Sequence, residues 1–237
     1  MSIAMQDVGL DAYIAHLRRR ERFALARYGD GEWRCIMAPK ASAMNCDGNH
    51  YYPGLGAALG ETLRNLHDEP YYYGIQPYAL RTDGKTIEAW CDQNAAGVQW
   101  RNGDVLHQAS IHGELAPFLK ALMTRPVVMV GPSCLLSLPL SCRCYVSTEG
   151  VDMWTQADGL CERIEGAVRV AGKDAVVCCA LGLCAEVVIH RLWPRLKTAT
   201  LIDVGSVFDA YVSGGRKRSY FAKLSEATKL ANMEIGQ

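Results

Sequence analysis

Apolar residues along this chain alternate between two patterns: near-continuous runs, most of them ending at a glycine, and stretches that repeat every three or four positions. The runs are Phe23 to Tyr28, Tyr71 to Ile75, Pro126 to Val130, Ala175 to Leu181 and Thr198 to Val204. Strands covered on both faces need such runs, and glycine allows the tight turn that follows. Helical spacing links Leu10, Tyr13, Ile14 and Leu17; Leu55, Leu59, Leu63 and Leu66; and Leu115, Phe118, Leu119 and Leu122. It also runs through Trp154 to Ile164 and Ala185 to Trp193. The alternation predicts an α/β fold, a Rossmann-like and mostly parallel sheet with helices on both faces.

No composition shift marks a boundary, so residues 1–237 are expected to form one domain. Its first part, 1–20, reads as a helix ending in Arg18, Arg19 and Arg20, which suit the negative end of a helix dipole. Its last part, 214–237, is a basic segment with Arg216, Lys217 and Arg218, followed by helical spacing of Leu224, Ala227 and Leu230. The polar stretch from Ala38 to Asn49 is expected to be a loop beside the site.

At 49% hydrophobic and 21% charged, the 237 residues can bury a sizeable core, which excludes a disordered or collagen-like chain. Its 25 basic and 25 acidic side chains cancel, leaving no global field toward nucleic acid or an anionic membrane. The ten cysteines show no C-x₂-C pairing of a structural zinc site, and the N-terminus has no signal-like pattern. Buried thiols in a reducing cytoplasm are the expectation. No apolar stretch approaches the ~18 residues of a membrane span. The segment Val176 to Leu192 is interrupted by Glu186, His190 and Arg191, so no membrane insertion is expected.

Ligands of open α/β sheets bind beyond the carboxyl ends of the strands. That rule selects Asp30 and Glu32, Gly131 and Ser133, Gly182, and Asp203 through Asp209. Two carboxylates flanking Gly31 suit Mg²⁺ or Mn²⁺, which take one or two carboxylates and complete their shell with water and phosphate oxygens. The same acidic turn can equally cap the next helix, and spacing alone leaves both readings open. The turns at Gly131 and Gly182 each lead into a helix whose free N–H groups can hold phosphate, or are ordinary βα turns. His50, His67, His107, His112 and His190 lie near no nucleophile motif and read as surface or packing residues. Tyr71, Tyr72, Tyr73 and Tyr78 can stack on a ligand or fill the sheet surface.

The segment Arg27-Tyr28-Gly29-Asp30-Gly31-Glu32 resembles the R-[FY]-G-D-G-E signature of GT-D fold glycosyltransferases. Val177 to Gly182 looks like that family's apolar strand ending in A-L-G, and Leu201 to Tyr211 is similar to its closing strand and turn. The resemblance implies a GT-D type of sheet and a metal-dependent transfer of a hexose from a nucleotide sugar, a UDP-sugar being the expected case. Asp30 and Glu32 would then serve Mn²⁺ or Mg²⁺ and the donor diphosphate. Together with the strand-end rule, it assigns the donor site to Arg27, Tyr28, Gly29, Gly31, Gly131, Ser133, Gly182, Asp203, Gly205 and Ser206. Arg27, Arg216 and Arg218 are candidate phosphate partners because guanidinium matches phosphate oxygens. Asp209 and Asp152 are the candidates for the base that takes the acceptor proton. Ser206 departs from the family, many of whose members carry histidine there. The acceptor can be a glycan, a small molecule or a modified base in DNA. A metal-dependent phosphoesterase and a non-catalytic nucleotide-binding module are the alternatives, and the oligomeric state stays open.

Overall fold

The computed structural model describes residues 3–148, 151–213, 215 and 222–235. Among them, eight strands form one sheet: β1 (Met5–Gln6), β2 (Ala24–Tyr28), β3 (Tyr71–Ile75), β4 (Trp100–Asn102), β5 (Val127–Gly131), β6 (Cys142–Ser147), β7 (Val176–Cys179) and β8 (Thr200–Asp203). Their order is β1-β4-β3-β2-β8-β7-β5-β6, and each pairing is parallel. The expected mostly parallel α/β sheet is therefore what the chain forms. The helices are α1 (Leu10–Arg18), α2 (Asp30–Met37), α3 (Pro53–Arg64), α4 (Pro77–Asn94), α5 (Val105–His112), α6 (Ala116–Leu122), α7 (Ala157–Ala171), α8 (Ala185–Leu192) and α9 (Glu226–Met233).

Successive strand residues divide between two cores. Ala24, Ala26, Val128, Val130, Val177 and Leu201 join Trp33 of α2, Leu59 of α3, Ile164 of α7 and Val188 of α8. Leu25, Val127, Met129, Val176 and Ile202 join Leu17 of α1, Leu106 of α5 and Phe118 of α6. Every position of β2, β5, β7 and β8 is buried, which is why these strands read as largely apolar runs rather than alternating ones.

The structure changes the sequence reading in three places. The segment after β2 is not only a turn: Gly29 is the N-cap of α2, and the helix begins at Asp30 itself. The N-terminal part holds the two-residue strand β1 ahead of α1. Strands β4 and β6 and helices α4 and α5 appear where no element was expected.

Connectivity positions the site. From β2 the chain builds outward through β3 and β4, then crosses to build β5, β6 and β7 on the other side, and returns to lay β8 beside β2. A crevice opens at such a reversal, because the connections on either side lead away from it.

Candidate active site

The carboxyl ends of β2, β5, β7 and β8 and the loop after α2 surround a cavity of about 310 Å³, the size of a small-ligand site. It is lined by Asp30, Gly31 and Glu32 after β2, Pro132 and Cys134 after β5, Ala180 to Leu183 after β7, and Asp203, Gly205, Ser206 and Asp209 after β8. Arg27, Arg34, Asn45, Asp47, Asn49 and His107 are also in the wall.

The acidic pair is held on a rigid element. Trp33 is fully buried and packs against Tyr28, Trp90 and Trp100 with ring centroids 5.7–6.2 Å apart, anchoring the first turn of α2. The N–H of Gly29 donates to Glu32 Oε2 at 2.8 Å, so one oxygen of Glu32 caps the helix. The cap reading of the acidic turn holds, and Glu32 lines the cavity as well. Asp30, partly exposed, faces the same space and pairs with Arg34 at 3.3 Å.

Arg27 and Asp203 form a buried ion pair behind this rim, each about 5% exposed or less in the side chain. Arg27 Nε donates to Asp203 Oδ2 at 2.9 Å, and its Nη1 donates to the carbonyl of Gly103 at 3.2 Å. The other Asp203 oxygen accepts from the N–H of Gly205 at 2.7 Å. Gly205 has φ of +50°, and a Cβ there would overlap Arg27 Nη2, so the turn after β8 is shaped around the guanidinium. Arg27 thus organises the cavity from within rather than standing free as a phosphate clamp.

Glu186, in the first turn of α8, is 1% exposed, and its Oε2 has no hydrogen-bond partner. Burial, then the charges of Glu32 and Asp203, push its carboxyl well above the ordinary value. Burial likewise pushes Glu32 up to about 7, against the backbone hydrogen bonds that favour its charged form. A carboxyl whose folded value lies above its unfolded one stabilises the fold fully below the unfolded value and loses that contribution as pH rises through the folded one. For Glu32 the window runs from 4.5 to about 7. Glu186→Gln keeps the shape without the ionisable group, so it is expected to raise stability by about 1 kcal/mol or more at pH 8 and to flatten the pH slope. Urea unfolding across pH measures both.

Other expected site residues lie elsewhere. Tyr28 is a core residue, fully buried, its hydroxyl bonded to Thr62 at 2.6 Å, and it does not reach the ligand space. Gly29 acts through its backbone as the cap of α2. Buried Gly131 and exposed Ser133 do not line the cavity, whereas Pro132 and Cys134 do. The Gly131 carbonyl is taken by Thr148 N and Tyr145 Oη. Asp152 is not an available base. Its carboxylate accepts from His50 N and pairs with His50 Nδ1 at 2.7 Å each, and it accepts from Tyr52 Oη at 3.2 Å. With Asn49 Oδ1 accepting from Asp152 N, these bonds stitch the loop after α2 to the segment before α7. Asp152→Ala is expected to cost about 1–2 kcal/mol and to speed proteolytic cleavage between residues 38 and 50, as limited proteolysis and denaturation would read. Arg216 and Arg218 lie outside the described residues. Cys35, Cys91, Cys161, Cys178, Cys179 and Cys184 are buried. His67 and His190 pack on one another at 4.2 Å, as packing residues do. His107, expected to be a packing residue, instead stands in the cavity wall.

Among the described residues, no cluster of three or more His, Cys, Asp or Glu is arranged to hold a metal by itself. No helix among them is long and apolar enough to cross a membrane.

No family model and no curated protein matches the chain. Solved structures do. A domain of unknown function 1792 (DUF1792), solved with selenomethionine, aligns at 12% identity and TM-score 0.65 over 86% of this chain and 79% of its own. A new glycosyltransferase (DUF1792) from Streptococcus sanguinis aligns at 13% and 0.65, over 86% and 82%. A third DUF1792 structure, described as having a distinct glycosyltransferase fold, aligns at 14% and 0.66, over 98% and 91%. Identities this low speak to architecture, and the chain shares the fold of these structures, the fold type expected from its R-Y-G-D-G-E segment.

Proposed function

We propose that this protein is a metal-dependent glycosyltransferase that moves a hexose from a nucleoside-diphosphate sugar, a UDP-sugar in the first instance, to an acceptor hydroxyl. The observation that carries the reading is the charge of the cavity. Five carboxylates (Asp30, Glu32, Asp47, Asp203 and Asp209) face two guanidinium groups (Arg27 and Arg34) among its described lining residues, and Asp203 already neutralises Arg27. The positive end of α2, a natural phosphate site, is filled by its own acids. Among these described residues, a cation is what would let a diphosphate settle against the carboxylates.

Asp30 and Glu32 fit that cation. They offer hard oxygen ligands on a rigid helix start, and two carboxylates are the protein share that Mg²⁺ or Mn²⁺ takes when phosphates and water supply the rest. Once bound, the ion would neutralise charge on the departing diphosphate. The chain's own groups do the remainder. The turn at Gly182, with φ of +57°, lies in the cavity wall ahead of α8, where backbone N–H groups would meet the phosphates. Asp209 lines the cavity and Asp152 does not, which favours Asp209 as the group that takes the acceptor proton.

The test is incubation with UDP-, GDP- and TDP-sugars and Mn²⁺, with mass spectrometry of donor and of a mixed pool of glycans, small molecules and DNA. Donor cleavage that stops with a chelator and a hexose mass increment on one acceptor class are expected. Phosphate release from simple esters without a sugar donor would point to a phosphoesterase. Donor binding without turnover on any acceptor would point to a binding module.

A further inference from the structure

Behind the turn after β8, three side chains from distant parts of the chain meet. His107, on α5, has its Nδ1 3.1 Å from Arg27 Nη1 and its Nε2 3.2 Å from Ser206 Oγ. A serine hydroxyl within reach of a histidine suggests a nucleophile and its base. The partner on the far side of the ring decides otherwise. Arginine has donors only, so the bond between Arg27 and His107 requires Nδ1 to accept. The ring proton of a neutral imidazole then sits on Nε2, which donates to Ser206. The carboxylate that would favour the opposite tautomer, Asp104, is 4.0 Å from Nδ1, beyond hydrogen-bond reach.

The arrangement is built into the fold. Arg27 is locked to Asp203 and to the Gly103 carbonyl, immediately before the Asp104 turn that begins α5. A Cβ on Gly205 would overlap Arg27 Nη2, so the turn that brings Ser206 to the ring depends on glycine at 205. His107 and Ser206 both line the cavity.

We propose that His107 is a positioning residue: Arg27 holds it as the Nε2-protonated neutral imidazole, and it orients the Ser206 hydroxyl as a donor to an anionic oxygen of the bound diphosphate. The second half rests on the reading given under Proposed function; the first does not. In this tautomer His107 cannot take a proton from Ser206, and Ser206 is not a nucleophile. The hydroxyl accepts from the ring and turns its own hydrogen toward a phosphate oxygen when the ligand enters.

Two measurements decide the matter separately. In histidine-labelled whole protein at neutral pH, ¹⁵N-detected NMR is expected to show His107 neutral with its proton on Nε2. A proton on Nδ1, or on both nitrogens, overturns the proposal whatever the protein catalyses. Calorimetric binding of UDP with Mn²⁺ forms the second arm. Ser206→Ala, which removes only a hydroxyl, and His107→Phe are each expected to weaken UDP binding about tenfold, the double variant no further, and His107→Gln to recover most of the loss. Binding unchanged in Ser206→Ala overturns the role given to the hydroxyl. Wild-type protein that binds no UDP overturns the diphosphate half of the proposal together with the donor reading, while the tautomer is still decided by NMR. Thermal melting of each variant separates these effects from misfolding.

Discussion

Asp30→Asn is expected to lower kcat/KM for glycosyl transfer by about a hundredfold to a thousandfold while leaving the fold nearly unchanged. Asparagine keeps the size of the side chain at the first position of α2 and removes only its charge, the property a cation and its diphosphate depend on. The cost in stability is small. The Asp30–Arg34 pair is half exposed on the arginine side, and such pairs contribute about 0–1 kcal/mol. Loss of the acid at a helix start adds about 0.3–1 kcal/mol. Glu32 behaves differently, because it caps α2 as well as being proposed to hold the cation. Glu32→Gln retains an acceptor for the Gly29 N–H and is expected to lose activity alone, whereas Glu32→Ala also uncaps α2. Steady-state kinetics beside chemical denaturation reads both. Full turnover in Asp30→Asn would remove the cation from these residues.

Arg27→Met is expected to cost about 3–5 kcal/mol, the largest stability loss in the set, because it leaves Asp203 charged and buried without its partner. The damage extends further, since the guanidinium also favours the charged form of Glu32 and of Glu186. Arg27→Lys recovers little, as one ammonium cannot reproduce the planar fork that serves Asp203, Gly103 and His107 together. Arg27→Met combined with Asp203→Leu removes both charges and is expected to regain much of the stability without the activity. Urea unfolding of the single and double variants tests this. A single variant as stable as the parent would mean that Arg27 is dispensable to the fold.

The strands that the sequence reveals are those covered on both sides. In β2, β5, β7 and β8 every residue is buried, so the run is largely apolar and its end is visible. Strand β6 lies at the sheet edge with Arg143 exposed and only Val146 buried, and β4 spans three residues, so neither stands out as an apolar run. Helix α2 starts earlier than its sequence suggests, since Gly-Asp-Gly has poor helix propensity and reads as a turn until Gly29 is recognised as a cap. The acidic pair was legible because strand-end chemistry and a motif coincide at Asp30 and Glu32. His107 was not. Its partners stand 80 and 99 positions away, and the one local signal is Asn102, whose Oδ1 accepts from Asp104 N to open α5 just beyond a strand end. Without β4 that strand end goes unseen, and the strand-end rule has nothing to act on.

The Arg27–Asp203 contact spans 176 positions of chain. A nascent polypeptide therefore carries an unmatched guanidinium through most of its synthesis, and the crevice cannot close until the eighth strand has left the ribosome. Splitting this gene between β7 and β8 should yield fragments that are inert singly and regain activity only when co-expressed.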